Sequence, residues 1–296
     1  MLPQSILEII NCAHLSKYVS SDFDERGGIM LVGPPGVLKT TIITNALDPF
    51  PDKLVMSDLT LPSFKVMRDD FTNKRYTTIG LTAYEKLYER QASTASNLEG
   101  LIKGLVCEGW QTFSTEDQRM PGSKTRALVV GGMTQDLLSR KYTEWQTSGF
   151  SRRFLWIVMR LHDPYVIARA IHEWRLIEFS NVVTKVPGNG RIHYNLTEDE
   201  SRYIGHLVRE QPGYSGIAYS LMKKIACVLK WKYDAETMMA ILSDVEKALS
   251  NKGDELILEP KSESSPVPPA SNVTKFSSQK TKPKPGGRLR TKGKRA

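Results

Sequence analysis

The feature that most constrains this chain is a glycine-rich turn that follows a short apolar run. The run is Ile29-Met30-Leu31-Val32, which is typical of a buried strand, and the turn is Gly33-Pro34-Pro35-Gly36-Val37-Leu38-Lys39-Thr40-Thr41. Residues 42–47 then have a helix-compatible composition. This order of strand, turn and helix, with a spacing close to GxxxxGK[ST], indicates a phosphate-binding P-loop.

Such a turn binds nucleotide phosphates through its backbone. The N–H groups of the turn and of the helix N-terminus face the phosphates, where the helix dipole favours negative charge. Lys39 would reach the terminal phosphates, and the hydroxyl of Thr40 would bind Mg²⁺. We therefore predict ATP and Mg²⁺ as cofactors, bound by Gly33, Pro34, Pro35, Gly36, Val37, Leu38, Lys39, Thr40 and Thr41. The alternative is an ordinary turn with Lys39 in solvent.

One position departs from the pattern, because Leu38 stands where a glycine is expected before Lys39. With helical backbone angles the leucine is tolerable and packs inward. With a positive φ the loop is distorted and nucleotide affinity falls. The sequence leaves both alternatives open.

Acidic residues follow the next two predicted strands. Residues 53–58 read as a short strand that ends on Asp58, at the edge of a parallel sheet where ligands bind. Asp58 is either a water-activating or metal-binding carboxylate, or the N-cap of the next helix. After a third strand at 75–81, the usual place of the Mg²⁺-holding acid is taken by Thr82 and Ala83. The first acid is Glu85, either a displaced metal ligand or part of a solvated helix face.

Two further strands carry candidate site residues at their ends. Residues 127–134 end on Thr134, which either senses the γ-phosphate or caps the following helix. Arg152 and Arg153 precede a fifth strand at 155–159. Either arginine suits a finger that stabilises transition-state charge on phosphate, often in trans. The alternative is a surface pair or ion-pair partners.

The order of these segments resembles RecA-like or AAA+-type P-loop ATPases of phages and mobile elements. The resemblance covers residues 25–165 and rests on the P-loop together with Ser57-Asp58-Leu59-Thr60, Tyr84-Glu85-Lys86-Leu87-Tyr88, Val130-Gly131-Gly132-Met133-Thr134 and Ser148-Gly149-Phe150-Ser151-Arg152-Arg153-Phe154. It implies nucleotide binding at Lys39 and Thr40, and an arginine that completes a neighbouring subunit's site. In such proteins an acid usually stands at or next to Ala83, so its absence weakens the expectation of hydrolysis more than that of binding.

The positive charge of the chain is confined to one segment. Residues 260–296 contain ten Lys or Arg and one acid, Glu263, which accounts for the whole formal net charge of +9. A composition dominated by Pro, Ser, Lys, Thr, Gly and Arg predicts disorder. The run 280–295 would bind nucleic-acid phosphates, or serve as a solubilising or partner-docking arm. A polar, basic loop at 111–126 is a second candidate for DNA contact, or an ordinary surface loop.

We predict an α/β fold in three parts. A P-loop NTPase core at 1–165, with a twisted, mainly parallel sheet, begins with a lid or packing helix in 1–28. A small all-helical C-terminal domain follows at 166–250, and a disordered basic tail at 251–296. No run of about 18 apolar residues and no signal peptide is found, and the three cysteines are far apart. These features predict reduced thiols, a cytoplasmic location and no membrane partner.

The sequence is compatible with three functions. The first is an ATPase acting on DNA in replication or recombination, such as a helicase or helicase loader, working as a homo-oligomer and possibly a ring. The second is a nucleotide-gated DNA-binding protein with little or no hydrolysis, favoured by Leu38 and Ala83. The third is a nucleic-acid packaging factor in which the tail is the main functional element.

Overall fold

The computed structural model describes residues 3–20, 25–110, 113–115, 118–159, 190–209, 211 and 216–249. In these residues the helices are α1 (Pro3–Leu15), α2 (Lys39–Leu47), α3 (Leu61–Thr72), α4 (Ala92–Cys107), α5 (Gln135–Thr147), α6 (Glu198–Arg209), α7 (Gly216–Lys232) and α8 (Ala235–Leu249). The strands are β1 (Gly28–Val32), β2 (Lys53–Met56), β3 (Thr78–Leu81), β4 (Phe113–Thr115), β5 (Gln118–Met120), β6 (Leu128–Met133) and β7 (Phe154–Val158). Short 3₁₀ helices span Ser16–Tyr18, Tyr84–Tyr88 and Ser151–Arg153.

Five of the strands form an all-parallel sheet in the order β2-β3-β6-β1-β7. Every residue of β1, β6 and β7 is buried. Continuous apolar runs of this kind are typical of parallel strands covered by helices on both faces. The predicted α/β class and the five predicted strands are therefore confirmed, and the sheet is parallel throughout.

Helices cover both faces of the sheet, and the alternation of side chains along β1 shows how. Ile29 and Leu31 belong to one apolar cluster, which includes side chains of α1, α2, α6, α7 and α8. Met30 and Val32 belong to the other, which includes side chains of α3, α4 and α5. Successive strand residues point to opposite faces, so the sheet that contains β1 is the middle layer between two layers of helices.

Polar side chains fix where several helices begin. At α3, Thr60 and Ser63 form a reciprocal capping box, with Ser63 N donating to Thr60 Oγ1 at 3.0 Å. At α6, Thr197 N donates to Glu200 Oε2 at 2.7 Å, and Glu200 N donates to Thr197 Oγ1 at 3.2 Å. Both capping boxes satisfy N–H groups that a helix leaves without partners.

The N-terminal helix α1 packs within the core. Its side chains from residue 5 to residue 15 are buried, and Asn11 Nδ2 donates to the carbonyl oxygen of Ala46 in α2 at 2.8 Å. The sequence predicted either a lid or a packing helix, and these contacts are those of a packing helix. Helices α6, α7 and α8 share the same apolar cluster. The predicted domain boundary at 165–166 and the predicted tail at 251–296 lie outside the described residues.

The loop predicted at 111–126 contains the antiparallel hairpin β4–β5. Trp110 and Ser123 form an isolated bridge at its base. The hairpin was not predicted, because the segment has no apolar alternation. In the described part of the chain, no helix combines the length and the apolarity needed to cross a bilayer.

Candidate functional site

The glycine-rich turn leaves β1 at the carboxyl edge of the sheet. Gly33 N donates to the carbonyl oxygen of Met133 at 3.2 Å, so the turn starts beside the end of β6. Gly36 has φ +85° and no atom within 4 Å of where a Cβ would stand, and Pro34 and Pro35 are exposed. The turn therefore projects into solvent and brings the chain back to the start of α2.

Leu38 adopts a left-handed backbone conformation, with φ 61° and ψ 20°, immediately before α2. The positive φ of the second alternative is therefore observed, and the lower nucleotide affinity that it implies stays a prediction. The helix nevertheless starts regularly, since Ile42 N donates to the carbonyl oxygen of Leu38 at 2.9 Å. A left-handed conformation costs a residue with a side chain about 1–2 kcal/mol, so strain is held at a position that suits glycine.

The N-terminus of α2 is open. No side chain caps it, and the first N–H groups of an α-helix have no partner within the helix. Pro34 and Pro35 have no N–H group, so the available donors belong to residues 36–41. Together with the helix dipole, these groups form an environment that favours an anion.

Lys39 lies inside the turn rather than in solvent. Its side chain is 8% exposed, and Nζ donates to the carbonyl oxygens of Gly33 at 2.7 Å and Pro34 at 2.8 Å. Burial lowers the pKa of Lys39 from its ordinary value, and the negative charge of Glu85 acts in the opposite direction. The interpretation of Lys39 as a solvated lysine is wrong.

Thr40 and Glu85 lie near the same end of β3. Thr40 Oγ1 donates to the carbonyl oxygen of Thr82 at 3.5 Å, and Thr82 N donates to that of Met56 at 3.0 Å. Glu85 belongs to the 3₁₀ helix Tyr84–Tyr88, and its Oε2 is shielded from solvent with no hydrogen-bond partner among the described residues. A shielded carboxylate oxygen does not fit a solvated helix face, so Glu85 retains capacity for a cation or a water molecule.

Asp58 is set apart from the turn. It forms an ion pair with Arg90, and Thr60 rather than Asp58 caps α3. Strand β2 is at the edge of the sheet, with β3 and β6 between it and β1, so its end lies roughly 14 Å from that of β1. The N-cap interpretation of Asp58 is therefore wrong. The described contacts do not join Asp58 to the turn, and its catalytic and metal-binding roles stay predictions.

Thr134 follows β6, the strand next to β1, and caps α5. Its Oγ1 accepts a hydrogen bond from Leu137 N at 3.4 Å. The capping alternative is therefore observed. The predicted role as a sensor of the γ-phosphate stays a prediction.

Arg152 and Arg153 occupy the 3₁₀ helix at the amino end of β7, in different surroundings. Arg153 Nη1 donates to the carbonyl oxygen of Gly149 at 2.6 Å, and Nη2 lies 3.4 Å from Glu108 Oε1. Arg152 is exposed. Because β7 runs parallel to β1, both arginines lie at the edge of the sheet opposite to the chain's own glycine-rich turn.

The residues around the turn suit a magnesium ion better than a metal held by the protein alone. In the described ranges no group of three or more His, Cys, Asp or Glu side chains could hold a metal. Mg²⁺ is usually held by one or two carboxylates together with water and substrate phosphates. Glu85, with its shielded oxygen, and the exposed Thr40 fit such a site.

Sequence reasoning missed two residues that shape the site. Thr82 connects α2 to β3 through its carbonyl oxygen. Gly132, at the end of β6, is placed so that an added Cβ would stand 3.3 Å from the Cβ of Lys39 and from Thr82 O. Two adjacent glycines in a buried strand were the available signal for this close approach.

Comparison with known proteins adds no relative. No protein-family model matches the chain, and no curated protein is significantly similar to it.

Proposed function

We propose that the chain is a P-loop protein that binds ATP with Mg²⁺ and hydrolyses it slowly as part of a DNA transaction. The observation that carries the proposal is the arrangement at the start of α2. An open helix N-terminus, a lysine folded into the preceding turn and a shielded carboxylate meet at the carboxyl edge of a parallel sheet. Ligands of open α/β sheets bind at this edge.

Each residue has a distinct role in the proposed site. The N–H groups of residues 36–41 bind the phosphates, and Lys39 exchanges its two carbonyl partners for phosphate oxygens. Thr40 and Glu85 would hold Mg²⁺, which neutralises charge on the phosphates. Thr134, which follows the strand next to β1, would respond to the terminal phosphate.

Slow turnover follows from the missing acid at residue 83. The acid that orders the metal stabilises the transition state more than the ground state, so its loss lowers the rate more than the affinity. Glu85, two residues further along and with a shielded carboxylate oxygen, would replace it in part.

The same proposal includes assembly. Arg152 is exposed and lies at the edge opposite to its own turn, so a finger role requires a second copy of the chain. A homo-oligomer such as a ring is the arrangement in which one subunit's Arg152 reaches its neighbour's phosphates. Replication or recombination work as a helicase or helicase loader agrees with this arrangement and with the basic segment 260–296.

The test compares Lys39→Ala with Lys53→Ala, a matched control. Lys53 also donates to a backbone carbonyl, that of Asp48, but lies at the amino end of β2. ATP affinity should fall at least tenfold for Lys39→Ala, since a charged hydrogen bond contributes about 1.5–3 kcal/mol. The control should bind ATP like the wild type. Equal affinity of Lys39→Ala and wild type would refute the proposal.

A second candidate function is a nucleotide-gated DNA-binding protein without hydrolysis, and Ala83 is the observation that favours it. ATP binding with no measurable DNA-stimulated turnover would support this candidate. Ala83→Asp, which restores an acid at the end of β3, should then produce turnover. A variant that folds, binds ATP and still shows no turnover would count against the missing acid as the reason.

A further inference from the structure

A concave site lies at the opposite edge of the sheet from the turn. This cleft, called here the amino-edge cleft, has a volume of about 790 Å³. It is lined by residues that precede β1, β2, β3 and β6, among them Arg26, Asp52, Thr77 and Arg126. Strand β1 rises roughly 16 Å over its five residues, so the cleft and the turn are separate sites.

The lining is strongly basic. It contains one acid, Asp52, and six Lys or Arg, namely Lys17, Arg26, Lys74, Lys124, Arg126 and Lys224. Asp52 is already engaged, because it accepts hydrogen bonds from Lys17 and Thr77 and lies 3.1 Å from the imidazole of His14. The remaining cations therefore give the cleft an excess of positive charge that the acid does not neutralise.

Arg26 lines the cleft and has a donor group that could bind an anion. Its Nη2 is shielded from solvent and has no hydrogen-bond partner among the described residues. Burial lowers the pKa of Arg26 to about 10, so the group remains charged at neutral pH. A shielded charged donor without a partner is costly unless a ligand satisfies it.

Lys74 adds an exposed cation to the cleft. It follows the end of α3 with φ 58°, a left-handed conformation that favours glycine at this position of a helix terminus. A lysine here costs about 1–2 kcal/mol relative to an unstrained residue. The N–H groups of Lys74 and Arg75 donate to the carbonyl oxygens of Phe71 at 3.0 Å and Asp70 at 2.7 Å, which is the usual hydrogen bonding of a helix C-terminus, and this cap holds the exposed Lys74 at the cleft.

Aromatic side chains accompany the cations. Tyr18 and Tyr76 line the cleft and are partly exposed, and each lies under a basic group, Lys17 at 5.0 Å and Arg75 at 5.7 Å. A positively charged groove with interleaved aromatic rings is the arrangement by which proteins bind single strands, since bases stack on the rings. In a duplex the bases stack on one another and do not offer their faces to such rings.

We propose that the amino-edge cleft binds single-stranded nucleic acid, with its cations on the phosphates and Tyr18 and Tyr76 against the bases. The inference rests on the proposed function only in assuming that the chain acts on nucleic acid. It assigns the contact to the folded body, separately from the segment 260–296.

The experiment measures binding of a fluorescent oligothymidine by the full chain at several salt concentrations. The Lys and Arg residues of 280–295 are replaced by Gln in every protein, so that the tail does not mask the cleft. Lys74→Gly and Lys124→Ala each remove one cleft cation, and Lys141→Ala on α5 is the control. Each cleft variant should reduce the salt slope by about 0.7, which is roughly a fivefold loss of affinity at 0.1 M salt relative to 1 M.

Lys74→Gly separates a binding role from a structural one. It removes the charge and relieves the strain, so affinity should fall while the melting temperature stays the same or rises. Unchanged affinity and slope in both cleft variants would overturn the proposal, as would equal affinity for duplex DNA. If the tail-neutralised parent binds no oligonucleotide at low salt, the cleft assignment fails; if the unsubstituted chain binds ATP but no oligonucleotide either, the DNA part of the proposed function fails as well. Loss of ATP binding alone leaves the cleft assignment standing if the oligonucleotide results hold.

Discussion

Leu38 offers the sharpest test of the geometry of the turn. Two variants, Leu38→Gly and Leu38→Ala, both remove the half-buried leucine side chain. They differ in one respect, because alanine retains the left-handed strain at φ 61° and glycine does not. We expect Leu38→Gly to be the more stable of the two.

The magnitude follows from two opposing contributions. Relief of the left-handed conformation stabilises the glycine variant by about 1–2 kcal/mol. The larger conformational entropy of glycine in the unfolded chain removes about 0.4–1 kcal/mol of this. The expected difference in unfolding free energy is therefore about 1 kcal/mol in favour of glycine. For a unit of this size it corresponds to a difference of roughly 2–4 °C in melting temperature.

Thermal or urea unfolding of the two variants measures this difference, and Val66 supplies the control. Val66 is 82% exposed in the middle of α3, where backbone angles are helical. At that position the order should reverse, with Val66→Ala about 1 kcal/mol more stable than Val66→Gly. The reasoning is refuted if Leu38→Ala is as stable as Leu38→Gly while the Val66 pair shows the normal order.

Three other outcomes can be measured. Glu85→Gln keeps the shape of the side chain but not its charge, so ATP turnover should fall more than ATP affinity, because a metal-ordering charge stabilises the transition state more than the ground state; unchanged turnover would exclude Glu85 from the chemistry. Arg153→Ala should lower the unfolding free energy by about 1–3 kcal/mol, because the carbonyl oxygen of Gly149 loses a charged donor, whereas exposed Arg152→Ala should change it by less than about 0.5 kcal/mol but reduce turnover in the assembled protein. Burial lowers the pKa of His14 from 6.5 to about 4, so the unfolded chain binds the proton more strongly; the unfolding free energy should fall by about 3 kcal/mol as pH decreases from 6.5 to 4, and a pH-independent stability in urea titrations over this range would contradict the assignment.

The strands were predictable because each is a continuous apolar run bounded by turn residues. A strand that is buried on both faces needs such a run, and every residue of β1, β6 and β7 is buried. Capping residues were predictable where a reciprocal pair exists, as at Thr197 and Glu200. At α3 the start was misplaced by two residues, since both Asp58 and Thr60 are good capping residues and only the fold decides between them.

The contacts between segments distant in sequence were not predictable. Arg90 lies 32 residues from Asp58, and its ion pair with that residue depends on the order of the strands. The hydrogen bond and ion pair of Arg153 depend on the positions of Gly149 and Glu108. Local patterns identify such residues as candidates, but long-range packing determines which candidate is available for function.

The order of the strands also constrains how the two proposed sites act together. β1 connects the two sites, with the residues before it at the cleft and the residues after it at the turn. A rigid strand buried on both faces fixes the distance between the two ligands, so both can be bound at once. Arg152 also lies at the amino edge of the sheet, and therefore a neighbouring copy that offers its turn to Arg152 must approach from that edge. Turnover per subunit should consequently rise with protein concentration, whereas the affinity of a single subunit for ATP should not.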